Sequence, residues 1–139
     1  AKRNVDPNRL IFAKSIPLKN HLARHQLGDL ALDTFNYNGH TTTSDALWAG
    51  LPVLTKIGKS FASRVSASIL TSIGLPELIT YNDKEYEEKA LNIARNTDEL
   101  MRIKSKLVKL GKTSALYNSE LFTKDLENKF NELVKAHSH

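Results

Sequence analysis

The sequence predicts an α/β fold: a Rossmann-like, three-layer parallel sheet over residues 9–80, followed by C-terminal helices over residues 83–137. Three observations predict it. Short apolar runs recur at a regular interval, at residues 10–13, 30–32, 53–55 and 78–80. These runs show almost no polar alternation, as strands buried on both faces do. Helical patterns fill the gaps between them, which favours parallel strands joined by right-handed crossovers.

Each element has its own signal. Pro17 suits the opening turn of a first helix that carries His21, Leu22 and Leu27. Ala46, Leu47 and Ala49 belong to a second helix, closed by Gly50 and Pro52. Ala62, Val65, Ile69 and Ile73 line one face of a third, ended by Gly74 and Pro76. The second half then changes character. Tyr86, Ala90 and Ile93 recur at helical spacing, as do Leu100, Ile103, Leu107 and Leu110, with Thr97 as expected N-cap and Gly111 as stop. Leu126, Phe130, Leu133 and Val134 mark a last amphipathic helix, and His137, Ser138 and His139 are expected to fray.

Composition bounds the class. The chain has 139 residues, 40% hydrophobic and 25% charged, which suits one globular domain with one core. No apolar run is long enough for a membrane span, and no secretory-signal pattern follows Ala1, so no membrane partner is expected. The start without Met leads us to expect a piece of a longer chain. The absence of cysteine excludes disulfides and thiolate metal sites, and fits a cytoplasmic setting. The net charge is +5, but Lys84, Glu85, Glu87, Glu88 and Lys89 show how the signs intermingle along helix faces. That pattern reads as solvated surface and not as a nucleic-acid interface.

The informative stretch is residues 33–45, Asp-Thr-Phe-Asn-Tyr-Asn-Gly-His-Thr-Thr-Thr-Ser-Asp. It follows an expected strand and precedes an expected helix. That is the carboxyl end of a parallel sheet, where open α/β folds bind ligands. A helix start offers unpaired N–H groups and a positive dipole end, both suited to phosphate. Gly39 permits close backbone approach. Thr41, Thr42 and Thr43 add hydroxyls, His40 can donate to a phosphate or leaving group, and Asp45 can accept two ribose hydroxyls. By spacing alone, the same residues also fit a plain N-cap after an Asn-Gly turn. Trp48 reads as core packing, Arg64 as a pin for a loop or helix end, and His25 as surface.

The run from Asp33 to Thr42, then Ser44-Asp45-Ala46-Leu47-Trp48-Ala49-Gly50-Leu51-Pro52-Val53, closely resembles the O-GlcNAc transferase/SPINDLY family. So does Ser60-Phe61-Ala62-Ser63-Arg64-Val65. The resemblance is nearest to bacterial members with upstream tetratricopeptide repeats (TPR), and it covers nearly the whole chain. It implies the C-terminal, nucleotide-holding lobe of a two-lobed GT-B glycosyltransferase. Such enzymes move N-acetylglucosamine from UDP-GlcNAc to Ser or Thr of proteins, with inversion and without a metal or other cofactor; some relatives use fucose from GDP.

Matched position by position, the resemblance implies that His40, Thr41 and Thr42 contact the diphosphate, with His40 as a stabiliser of the leaving group. Asp45 would bind the ribose. His21, Arg24 and the backbone around Ile16 would meet the uracil. The animal enzymes' ribose-contacting Lys falls at Leu18 here, next to Lys19, so Lys19 is not assigned. The partner lobe, acceptor groove and repeats through which acceptor proteins would bind have no counterpart in these residues. A piece of this kind is expected to be inactive alone, and no general base is assignable within it. Two other readings stay open: a UDP-sugar-binding module without transfer, and an interaction domain using Lys104, Lys106 and Lys109.

Overall fold

The computed structural model describes residues 5–111 and 113–137. Three parallel strands form an open sheet in the order β1 (Ala31–Leu32), β2 (Val53–Lys56), β3 (Ile79–Thr80). Ala31 pairs with Val53 and Leu32 with Leu54; Thr55 pairs with Ile79 and Lys56 with Thr80. The helices are α1 (Leu18–Arg24), α2 (Thr41–Trp48), α3 (Val65–Ile73), α4 (Asp83–Arg95), α5 (Thr97–Gly111) and α6 (Ser119–Ala136). Helices α2 and α3 make the two crossovers and touch each other, as do α4 and α5.

The core is aliphatic. Leu47, Val53, Leu70, Ile73, Leu75, Leu78, Ile93, Ile103 and Leu107 form one buried cluster that draws on β2 and on α2 to α5. Such burial supplies the main force holding helices to a sheet this short. On α3 the buried face is Ser66, Ala67, Leu70 and Ile73, while Val65 and Ile69 sit at its margin. The expected stripe was therefore turned by about one position, because a small polar residue, Ser66, can enter a core where it finds partners in Thr43 and the Gly39 carbonyl. Gly74 ends α3 at φ +87°, a left-handed turn that glycine takes without strain. A Cβ there would also come within 3.3 Å of Leu110 on α5.

Several expectations are corrected. Residues 10–13 join no strand ladder; Ile11 and Phe12 are about 90% exposed, at 89% and 90%. A strand exists only where a neighbour satisfies its amides and carbonyls, and among the described residues none lies beside this run. Pro17 is the N-cap of α1, one position before the helix proper. The cap of α5 is Asn96, whose Oδ1 accepts the Glu99 amide at 3.0 Å; Thr97 is the first helical residue. Trp48 is 63% exposed and packs edge-on against Tyr117, with ring centroids 4.9 Å apart. It follows the buried Leu47 on α2, and the helical turn carries it off the core face. Helix α6 is amphipathic as expected, yet it buries no residue, and Leu126, Phe130, Leu133 and Val134 all remain exposed. Of the three tail residues expected to fray, Ser138 and His139 lie outside the described residues, and His137 caps α6. No helix of the described residues is long and apolar enough to cross a membrane.

The core and the α6 stripe should respond differently to truncation. Leu70→Ala should lower unfolding free energy by about 2–5 kcal/mol, whereas Phe130→Ala should change it by less than about 0.5 kcal/mol. Urea titrations of both variants check this; a comparable loss from Phe130→Ala would mean that α6 is packed in solution.

Candidate functional site

Residues 33–40 leave the carboxyl end of β1 and turn into α2. The turn is built on Asp33, whose amide still donates to Leu54 in the sheet at 3.0 Å. One carboxylate oxygen accepts the Thr34 amide at 2.9 Å and the Gly39 amide at 2.7 Å. The other accepts the Thr55 hydroxyl of β2 at 2.6 Å. The Asp33 carbonyl accepts the Tyr86 hydroxyl of α4 at 3.0 Å. Asp33 thus ties both ends of the loop to two neighbouring elements. The sequence reading gave it no role; an acid directly after a strand, six residues before the Gly of an Asn-Gly pair, was the available signal.

Within the loop the Thr34 hydroxyl donates to the Tyr37 carbonyl. Asn38 is buried, donating its side-chain amide to the Thr34 carbonyl at 2.7 Å and its backbone amide to Ala62 at 2.8 Å. Ser66 of α3 donates to the Gly39 carbonyl at 2.8 Å and bonds Thr43 at 2.8 Å. Thr43 is therefore committed to the core side and is not the open hydroxyl that was expected. A Cβ at Gly39 would lie 2.5 Å from Thr43 Oγ1 and 2.7 Å from Thr42 Oγ1, so only glycine fits the close approach of loop to helix. Here the glycine serves packing.

His40 is the N-cap of α2, at φ −105° and ψ −90°, and makes no side-chain bond to the first-turn amides. Thr41 and Thr42 follow it and are exposed. The helix therefore starts with an uncapped positive end facing outward. Among the described residues, two buried side-chain polar atoms lack a partner: Asn38 Oδ1 and His40 Nε2. Both belong to this loop. Burial without a bond costs free energy, and the cost is concentrated at one place. Asp45, half-buried in α2, has no ion pair or side-chain hydrogen bond among the described residues. Burial, joined by the Asp45 charge, pushes the Tyr117 phenol up.

The other expected residues lie on and before α1. Arg24 donates to the Lys14 carbonyl at 2.9 Å, and the His21 ring meets His25 edge-on at 4.7 Å. Ile16 is exposed in the segment before Pro17. His25, expected at the surface, is half-buried because the chain turns back there toward β1. A cavity of about 250 Å³ lies between His25, Asp33, Thr34, Gly39 and Thr42. His21, Arg24 and Ile16 are not among its lining residues. A wider cavity of about 630 Å³, not foreseen from the sequence, lies against Lys56, Lys59, Arg64 and Asp83. Arg64 does pin a loop, donating to the Gly58 carbonyl at 3.2 Å. Among the described residues, no group of three or more His, Asp or Glu is placed to hold a metal ion.

This geometry can be set beside known proteins. The profile of Glycosyl transferase family 41 matches residues 1–126. The chain belongs to glycosyl transferase family 41. The family 41 chain is 34% identical over 136 residues to a UDP-N-acetylglucosamine–peptide N-acetylglucosaminyltransferase of Caenorhabditis elegans, covering 98% of this chain and 12% of that protein. It is 33% identical to a probable transferase of the same description, SPINDLY, of Petunia hybrida, covering 96% of this chain and 14% of that protein. Among solved structures, a mutant O-GlcNAc transferase of Thermobaculum terrenum superposes with a TM-score of 0.87 at 34% identity, over 94% of this chain and 25% of that one. The family 41 chain therefore spans about an eighth of the first curated relative, and its open parallel sheet with helices corresponds to part of a GT-B catalytic region.

Two outcomes test the brace. Burial, aided by the Asp33 charge, pushes the Tyr86 phenol up to about 12. An unfolded phenol ionises near 10, so the folded state alone keeps the proton between those values. Stability from Tyr86 should hold below about pH 10 and fall as pH rises toward 12; Tyr86→Phe should lessen the fall in alkaline melting curves, leaving the part due to Tyr117. Asp33→Ala should destabilise the fold by about 1–3 kcal/mol, because the Thr55 hydroxyl and Gly39 amide lose their acceptor. An unchanged melting temperature would mean that the loop holds without it.

Proposed function

We propose that this chain is the nucleotide-sugar-binding part of a protein O-linked N-acetylglucosaminyltransferase that uses UDP-GlcNAc. The observation that carries this reading is the uncapped start of α2, with the buried His40 Nε2 unpartnered beside it. A diphosphate matches that surface, since it is an anion able to take amide, hydroxyl and imidazole donors.

In this reading His40, Thr41 and Thr42 hold the diphosphate and Asp45 accepts the ribose hydroxyls. The uracil lies toward Ile16, His21 and Arg24 on the α1 side. The reaction is an inverting displacement at the anomeric carbon: the acceptor hydroxyl attacks while UDP departs. Charge then builds on the diphosphate. Preorganised N–H and O–H donors at a helix start stabilise that charge, and each such donor is worth about 3 kcal/mol. The residues need no cofactor for this role. Acceptor proteins would be bound by a partner lobe and by TPR repeats outside these residues, in the cytoplasm. The isolated piece would be inactive, because it cannot place the acceptor.

A protein-interaction domain using a free basic face has less support. Lys104 is paired with Asp29 at 2.8 Å and Lys106 with Glu77 at 2.7 Å, so two of the three expected cations are already engaged.

Calorimetric titration of UDP into the complete polypeptide tests the assignment. Asp45→Ala should weaken binding by about 1–3 kcal/mol, and an unchanged isotherm would sink the ribose role. His40→Ala should lower turnover by about a hundredfold with little change in melting temperature. A collapse in melting temperature with turnover intact would make His40 structural.

A further inference from the structure

His40 is held between two aromatic side chains. Tyr37 lies face to face with the imidazole, at 4.9 Å between centroids and 14° between planes. Phe61 meets the same ring edge-on, at 6.0 Å and 90°. Tyr37 is 65% exposed and Phe61 81% exposed, so burial is not what fixes either of them. What they share is His40.

The two aromatics come from different elements, each with a stiff base. Tyr37 stands in the loop before α2, whose turn the Thr34 hydroxyl closes on the Tyr37 carbonyl. Phe61 opens a single 3-10 turn before α3, where Ser60 and Ser63 cap one another at 2.9 Å. The Asn38 amide joins the two, donating to Ala62 at 2.8 Å. A surface histidine ordinarily samples several staggered rotamers. This one is stacked on one side and met by a ring edge on another, and its Nε2 is enclosed without a partner.

We propose that Tyr37 and Phe61 are positioning residues for His40: they fix the imidazole plane at the open start of α2, so that a nucleotide diphosphate meets it in one orientation. This rests on the reading of α2 as a diphosphate site. Stacking needs a flat face, which Phe supplies and Leu does not. Tyr37→Phe should therefore keep the bracket and Tyr37→Leu should break it at similar volume.

Two measurements separate the bracket from the diphosphate reading. The first uses no nucleotide. In proton–carbon NMR spectra, the His40 ring protons should be shifted upfield by the stacked phenol ring, keep that shift in Tyr37→Phe and lose it in Tyr37→Leu. The second is donor kinetics in the complete polypeptide. Tyr37→Leu and Phe61→Leu should each lower kcat by about tenfold while the donor KM moves less than about threefold, and Tyr37→Phe should retain the rate. Ring-proton positions unmoved by Tyr37→Leu would overturn the bracket itself. A full kcat in Tyr37→Leu, beside a depressed kcat in His40→Ala, would show that His40 needs no positioning and overturn the proposal. If His40→Ala altered neither UDP binding nor turnover, the diphosphate reading would fall and the purpose of the bracket with it, while the NMR result would still decide whether the ring is held.

Discussion

The carboxylate of Asp33 accepts hydrogen bonds from the Thr34 amide, the Gly39 amide and the Thr55 hydroxyl. Those donors belong to the start of a loop, its end and the neighbouring strand. One side chain thereby sets the distance between β1 and the entry of α2. Tyr86 adds a fourth tie, from α4 to the Asp33 carbonyl. The path of residues 34–39, the approach of Gly39 to Thr42 and Thr43, and the direction in which His40 caps α2 all follow from where these bonds end. The brace is part-buried, where a hydrogen bond to a charged acceptor is worth more than one in water.

Satisfied and unsatisfied polar groups divide along the loop. Thr34, Gly39, Thr43 and Ser66 are consumed in bonds that shape it. Asn38 Oδ1 and His40 Nε2 are left over, and the first-turn amides of α2 have no side-chain cap. A stable domain tolerates such a local cost because its aliphatic cluster lies elsewhere, around Leu70, Ile103 and Leu107. Cavity volume does not locate this region. A groove of about 660 Å³ opens instead beside Trp48, Val108 and Tyr117, away from the loop. The polar pattern is what singles the loop out.

Helix α6 and the run at residues 10–13 show where a local pattern stops being informative. Leu126, Phe130, Leu133 and Val134 have the spacing of a core-facing stripe, and Leu10, Ile11 and Phe12 the composition of a buried strand. Both sets are exposed. Periodicity reports the shape a segment can take, whereas burial requires a second surface to meet it. Thr97 and Asn96 show the same at shorter range. Both residue types cap helices, and the choice fell to whichever side chain reached an amide three residues on.

Much of this protein was legible from its residues alone. Strand-helix alternation gave β1, β2 and β3, with α2 and α3 between them, and the Asn-Gly-His-Thr-Thr run identified both the loop and the family. These signals are local: each depends on side chains close in the chain, so spacing preserves them. What tertiary structure decided is which groups are used up and which remain. The pairing of Thr43 with Ser66, the link from Asp33 to Thr55, and the bracketing of His40 by Phe61 join positions 21 to 23 residues apart. Only the packing of the crossovers brings such groups within hydrogen-bonding or ring-contact distance, and a linear pattern carries no measure of it.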